Sequence, residues 1–278
     1  MHATVWISGL SFPEDPRWHR ERLWFSDFGH RVVRTAEADG TLTEVARVEA
    51  SPSGLGWLPD GTLLIVSMAE RRLLRHEADG SLTTHADLSP FARYPCNDMV
   101  VSADGNAYVG HMGFDLFARP RQVAPASLLL VRPDGGASVV ADDLLLPNGT
   151  VITPDGRTLI VAETVGERLT AFTVRRDGTL GERRLFAALP GRSPDGICLD
   201  AEGAVWVADA ASNECVRVQD GGAITDVVTA TQRCYACVLG GIDRRTLLLC
   251  TAEGYGRDAL ARNTGAIERV DVAVPAAG

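Results

Sequence analysis

Pro147–Glu163 reads PNGTVITPDGRTLIVAE. Two apolar runs flank Pro-Asp-Gly. Asp-Gly between β-rich runs is the strongest short-range hairpin signal, because glycine takes the positive φ of a tight turn. Asn148 stands eight residues before the turn glycine, Gly156. Similar segments recur: EDPRWHRER from Glu14, SGLGWLPDG from Ser53, NDMVVSADG from Asn97, DGICLDAEG from Asp195 and ACVLGGIDR from Ala236. Their turn residues, eight positions on, are Arg22, Gly61, Gly105, Gly203 and Arg244. The six starts lie 39 to 51 residues apart, and periods of roughly 40–50 residues with strand content mark propeller blades. More strand-like runs follow each hairpin, such as RLTAFTVRRDGTL after Glu163 and ECVRVQDGGAITDVV after Asn213. The repeats predict an all-β protein: one six-bladed β-propeller of four-stranded antiparallel blades over residues 1–278.

Both ends fit this plan. ATVWISG near the N-terminus and AIERVDVAV near the C-terminus have strand character. They are expected to share one blade, closing the ring and removing exposed edges. No long segment has helical periodicity. FARPRQVAPASLLLV, with Pro120 and Pro125, reads as a loop leading into a strand.

Composition excludes several classes. A net charge of −9 disfavours nucleic acid, which rewards basic patches. No apolar stretch approaches the ~20 residues that span a bilayer. MHATVWISGL lacks a basic region and a long apolar region, so a cytoplasmic protein is expected. All 27 basic residues are arginine, which rules out Schiff-base lysine chemistry and a Walker phosphate loop. No G-x-S-x-G, H-E-x-x-H or G-x-G-x-x-G is present. Six cysteines are expected reduced, and Cys234-Tyr-Ala-Cys237 lacks the second pair a zinc site needs.

The chemistry-bearing signal is the first position of each repeat. In a propeller those positions surround one mouth of the central channel. Glu14, Asn97, Asn148 and Asp195 would converge there, whereas the other two units carry Ser53 and Ala236. Two carboxylates held close repel, and one is driven to keep a proton. A divalent cation removes that conflict. An all-oxygen donor set suits Ca²⁺, Mg²⁺ or Mn²⁺, and carboxylates also bind Zn²⁺ and Fe²⁺. The second strand of each hairpin returns to the same mouth, ending near Asp27, Met68, His111, Glu163, Asp209 and Thr251. Of these, Asp27, Glu163 and Asp209 are expected to hold backbone by hydrogen bonds, and His111 is a candidate for substrate contact.

At these residues the chain resembles the gluconolactonase/regucalcin family, also called the senescence marker protein family. The matching elements are Glu14 in SFPEDPRW, Asn97-Asp98 before SADG, Pro147-Asn148-Gly149 before TPDG, and Pro194-Asp195-Gly196 before DAEG. The resemblance implies one divalent metal on Glu14, Asn148 and Asp195, with Asn97 contacting substrate. It also implies a metal-dependent lactonase in which Asp195 is the general base. Sugar-lactone members usually carry arginine two residues before the asparagine; here that place is Pro95. No acidic rim residue follows the third hairpin cleanly, Phe114 and Asp115 being nearest. Trp57, Tyr94, Phe114 and Tyr235 are expected to line the mouth, which favours a smaller or more apolar lactone or ester. Two other readings stand beside this one: a metal-independent lyase or cyclase resembling strictosidine synthase, and a non-catalytic propeller that binds metal or small ligands.

Overall fold

The structure, a computed structural model, describes residues 1–278 apart from the side chain of Arg257. Among the described residues, strands form six four-stranded antiparallel sheets. The innermost strands are Pro13–His19, Pro52–Trp57, Cys96–Val101, Pro147–Ile152, Pro194–Leu199 and Arg233–Gly240. Each packs on the next, and the sixth packs on the first. The protein is therefore a closed six-bladed propeller. The sixth sheet runs Arg233–Gly240, Thr246–Ala252, Gly265–Asp271 and, outermost, Thr4–Leu10. The two chain ends thus share one blade, with Val5 opposite Glu268 and Ile7 opposite Ile267.

Local chemistry explains the turns. Asp39, Asp60, Asp79, Asp134, Asp155 and Asp177 each accept, through Oδ1, the backbone N–H two residues on, at 2.9–3.0 Å. This is the Asx-turn geometry. In the fourth blade's inner hairpin, Gly156 supplies the required φ of 70°. The first blade departs from the pattern. Its inner hairpin turns on Arg20 and Glu21, both at positive φ, and His19 pairs with Arg22. The turn expected at Arg22 therefore falls earlier, and Arg22 opens the next strand, Arg22–Asp27. A two-residue turn replaces the longer Asp-Gly loop there.

The core lies between blades. Leu64, Val66, Met99, Val109 and Leu129 are fully buried together between the second and third sheets. All six cysteines are free and buried, and Cys198 Sγ lies 3.7 Å from Cys237 Sγ. The segment His111 to Ala126 is a loop leading into the strand Ala126–Val131, as its prolines predict. One short helix, Arg257–Ala261, sits between the second and third strands of the sixth blade. No helix is long and apolar enough to cross a membrane.

Candidate functional site

Every inner strand slips register near its first end. The slipped positions are Asp15–Pro16, Ser53–Gly54, Asn97–Asp98, Asn148–Gly149, Asp195–Gly196 and Tyr235. Glu14 is the last paired residue before the first of them. A bulge re-aims side chains and strengthens the local twist. Six bulges at one end of a ring turn their side chains onto a common region.

Close approach of the inner strands explains the glycines after Ser53, Asn148 and Asp195. A Cβ on Gly149 would stand 2.5 Å from Asp195 O, and one on Gly196 would stand 2.5 Å from Ala236 Cβ. None of these three glycines has a positive φ. Asn-Gly and Asp-Gly here serve packing round the axis, not turns.

The side chains meet as follows. Asn97 Nδ2 donates to Asn148 Oδ1 at 3.0 Å, and Asn148 Nδ2 donates to Thr164 Oγ1 at 3.1 Å. Ser53 Oγ lies 3.5 Å from Asn97 Oδ1. Asn97, Asn148 and Asp195 are each 8% exposed. Burial raises Asp195 well above the usual carboxylate range, the Glu14 charge raises it further, and the Asn148 amide opposes this. Burial likewise pushes Glu14 up to about 8, helped by the charge of Asp98 and opposed by a hydrogen bond from the Asp15 N–H. The Glu14 charge acts on Asp195, and both acids are raised by the charge of Asp98. Neither carboxylate has an ion-pair partner among the described residues.

Below them lies a buried charged cluster that sequence reasoning did not single out. Arg17 Nη2 contacts Asp15 Oδ1 at 2.7 Å and donates to Asp98 Oδ1 at 3.2 Å. It also donates to the Met99 carbonyl at 2.5 Å. Asp15 accepts the Leu55 N–H, and Asp98 accepts its own neighbour's N–H at Met99, 2.7 Å. The guanidinium pairs with Asp15 and Asp98, and its charge also lowers Glu14 without forming an ion pair with it. The only sequence signal was the acid following Glu14 and the acid following Asn97.

Carboxylates on the second strands of the first, fourth and fifth blades pin the chain just before Glu14, Asn148 and Asp195. Asp27 accepts the N–H groups of Ser11 and Phe12 at 3.1 and 3.0 Å, ahead of Glu14. Glu163 accepts Leu145 N–H at 2.8 Å, ahead of Asn148. Asp209 accepts Ser193 N–H at 3.0 Å, ahead of Asp195. In the sixth blade Glu268 does the same for Thr231 N–H at 2.9 Å.

The remaining candidates separate. His111 closes the second strand opposite Cys96, but both ring nitrogens engage backbone: Nε2 accepts Ser127 N–H at 3.1 Å, and Nδ1 donates to Met112 O at 3.0 Å. Burial lowers its pKa, so it is a neutral structural ring. Trp57, expected at the mouth, lies instead at the far end of its strand, opposite Leu63 and stacked on His19 at 3.9 Å. Register places it there, because Pro52 rather than Trp57 is the mouth end. Tyr94 lies on the loop before Cys96, with the Arg93 guanidinium 5.6 Å from its ring centroid. Phe114 is buried on the loop after His111. Tyr235 sits in the sixth bulge, its ring 4.6 Å from Phe12 and 6.4 Å from Tyr255. Phe117, on the third blade's loop, reaches Tyr255 of the sixth blade at 6.1 Å, and Arg121 Nη2 donates to the Tyr255 hydroxyl at 3.4 Å. Those blades face each other across a six-membered ring, so the contact crosses over the mouth. Phe12, Tyr255 and Phe117 were not foreseen; they lie outside the repeat positions.

A cavity of about 240 Å³ opens among hairpin-end residues at the other end of the axis, lined by Arg17, Trp18, Val100, Ile152 and Arg244. It gathers no carboxylate or amide side chain.

A closed propeller with acids and amides gathered at one mouth defines a class of small-molecule-site propellers. Residues 12–253 match the model of the SMP-30/Gluconolactonase/LRE-like region, and the chain belongs to that family. It is similar to a 6-deoxy-6-sulfogluconolactonase of Pseudomonas putida, 30% identical over 138 residues, 48% of this chain and 47% of that protein. The match thus spans about half the length of that relative. Regucalcin of Gallus gallus is 24% identical over 90% of this chain and 86% of its own length. The solved structure of a calcium-binding regucalcin from Agrobacterium tumefaciens superposes with a TM-score of 0.82 at 22% identity, covering 99% of this chain and 96% of that one.

Proposed function

We propose that the protein is a metal-dependent lactone hydrolase. What supports this reading is a half-buried Glu14 and a buried Asp195, both raised above the usual carboxylate range and neither in an ion pair among the described residues, together with the hydrogen-bonded amides of Asn97 and Asn148. Among the described residues no three His, Cys, Asp or Glu side chains form a ready metal cage. The donor set is instead mixed, and its chemistry fits a hard divalent cation. Two carboxylates supply the charge, and Asn148 Oδ1 keeps a second lone pair beyond the one facing Asn97. Glu14, Asn148 and Asp195 would hold the ion. When bound, it supplies Lewis acidity toward the substrate carbonyl. The names of the sulfogluconolactonase and regucalcin relatives support both the lactone and the cation.

The chain's own groups then divide the work. Asp195 takes a proton from the attacking water, a contribution of about 10²–10⁴-fold for a well-placed general base. Asn97 orients the substrate, itself held by Asn148 and faced by Ser53. The pins from Asp27, Glu163 and Asp209 keep these side chains in register. Phe12, Tyr235, Tyr255 and Phe117 make the mouth aromatic, and Pro95 offers no cation for a polyhydroxylated sugar. The substrate is therefore a small, rather apolar lactone or ester.

The test is a pH-indicator screen of lactones with the chelated protein and with Ca²⁺, Mg²⁺, Mn²⁺ or Zn²⁺ restored. The reading expects chelator-sensitive turnover, with aliphatic and aryl lactones faster than gluconolactone. Turnover unaffected by chelator, or no lactone turned over with any ion, would overturn it.

A further inference from the structure

We infer that the Tyr235 hydroxyl is a hydrogen-bond donor to the carbonyl oxygen of the bound ester or lactone, a catalytic residue contributed by a blade whose bulge offers no acid or amide. The inference deepens the hydrolase reading and rests on it for the identity of the acceptor.

Position comes first. Tyr235 occupies the sixth bulge, the place filled by Asn97, Asn148 and Asp195 in their own blades. It is also adjacent to the base. A Cβ on Gly196 would stand 3.1 Å from Tyr235 O, so the Asp195–Gly196 and Tyr235–Ala236 backbones are in contact.

The hydroxyl itself is the second observation. Tyr235 is 2% exposed, yet its oxygen meets no partner in hydrogen-bonding geometry. Buried phenols normally find one, because an unpaired buried hydroxyl loses its water without replacement. Asp15 Oδ1 is also without a formal hydrogen bond in the channel, but it faces Arg17 at 2.7 Å. Tyr235 likewise has the Arg233 guanidinium near it, but a guanidinium can only donate, so the phenol's own proton is left without an acceptor. Burial pushes the phenol up to about 12, the charge and hydrogen bonding of Arg233 opposing and Asp195 adding to the rise. At neutral pH the group keeps its proton and can only donate. The Phe12 and Tyr255 rings restrict where the phenol can swing. As water adds to the carbonyl carbon, negative charge grows on the carbonyl oxygen and this hydrogen bond strengthens.

Tyr235→Phe removes the donor and keeps the ring. Three measurements decide the matter: δ-valerolactone turnover, binding of the non-hydrolysed analogue δ-valerolactam, and binding of tetrahydropyran, which lacks a carbonyl. Expected are a kcat loss of about 10²–10³-fold, as for an oxyanion donor, and lactam binding weakened about tenfold. Tetrahydropyran affinity, metal content and Tm should be unchanged, or Tm slightly raised, since an unpaired hydroxyl is removed. A merely structural tyrosine would instead lower Tm and leave the lactam-to-tetrahydropyran affinity ratio alone. Equal lactam binding by Y235F and wild type, or no lactam binding by wild type, overturns the inference. Lactam binding that needs the hydroxyl, without turnover of any lactone, would sustain it and sink the hydrolase reading.

Discussion

Replacing Glu14 with glutamine should stabilise the chelated protein at neutral pH while destroying its response to metal. Glu14 ionises near pH 8 in the folded chain against 4.5 in the unfolded one. Between those values the folded state holds a proton that the unfolded state has lost, so this carboxyl makes stability fall as pH rises from about 4.5 to about 8. At pH 7 the difference of about 2.5 units corresponds to roughly 3 kcal/mol. Glu14 is half-buried, and water screening trims this to about 1–3 kcal/mol. Glutamine carries no proton to lose, and its side-chain oxygen can still accept the Asp15 N–H that Glu14 Oε2 accepts at 3.0 Å. In EDTA at pH 7, E14Q should therefore melt about 2–8 °C above wild type, the gap closing as pH falls toward 4.5. Added Ca²⁺ or Mn²⁺ should raise the wild-type Tm in proportion to the logarithm of its concentration, and leave E14Q unmoved. Differential scanning calorimetry at four pH values provides the comparison. If E14Q melts below wild type in EDTA at pH 7, or its advantage persists undiminished at pH 4.5, the reasoning about paired buried acids is wrong.

Other outcomes follow from the same geometry. Asp195→Asn should reduce lactone turnover by at least 10²-fold with the Tm retained, read by steady-state kinetics beside calorimetry. Gly196→Val should cost about 1–3 kcal/mol or more through overpacking, because even a Cβ there meets Ala236 at 2.5 Å; urea unfolding measures it, and wild-type stability would deny the close approach. Asp209→Asn should weaken metal affinity about 10–100-fold by loosening Ser193 ahead of Asp195, seen by calorimetric titration. His111→Gln, by contrast, should alter stability rather than KM, since both ring nitrogens are occupied by backbone.

The repeat was legible because Asp-Gly turns and strand periodicity are local properties. So was the offset from each turn that places Asn97, Asn148 and Asp195 first in their bulges; Glu14 falls one residue before its own. What the repeat could not reveal depends on packing across blades. The bulges are set by how inner strands crowd the axis, so the spacing role of Gly149 and Gly196 shows only in the fold. Arg17 reads as an exposed strand residue until Asp98, 81 positions away, is brought beside it. Trp57 was misplaced because its polarity along the strand follows from which end faces the mouth. The aromatic bridge from Phe117 to Tyr255 joins two loops outside the repeat, where no periodicity guides the eye.

The most direct measurement is anomalous diffraction from crystals grown with Mn²⁺. Electron density should show a single ion bound by oxygens of Glu14, Asn148 and Asp195, at about 2.0–2.3 Å. An ion seated elsewhere, or no ion at saturating Mn²⁺ with those three side chains directed apart, would contradict the account.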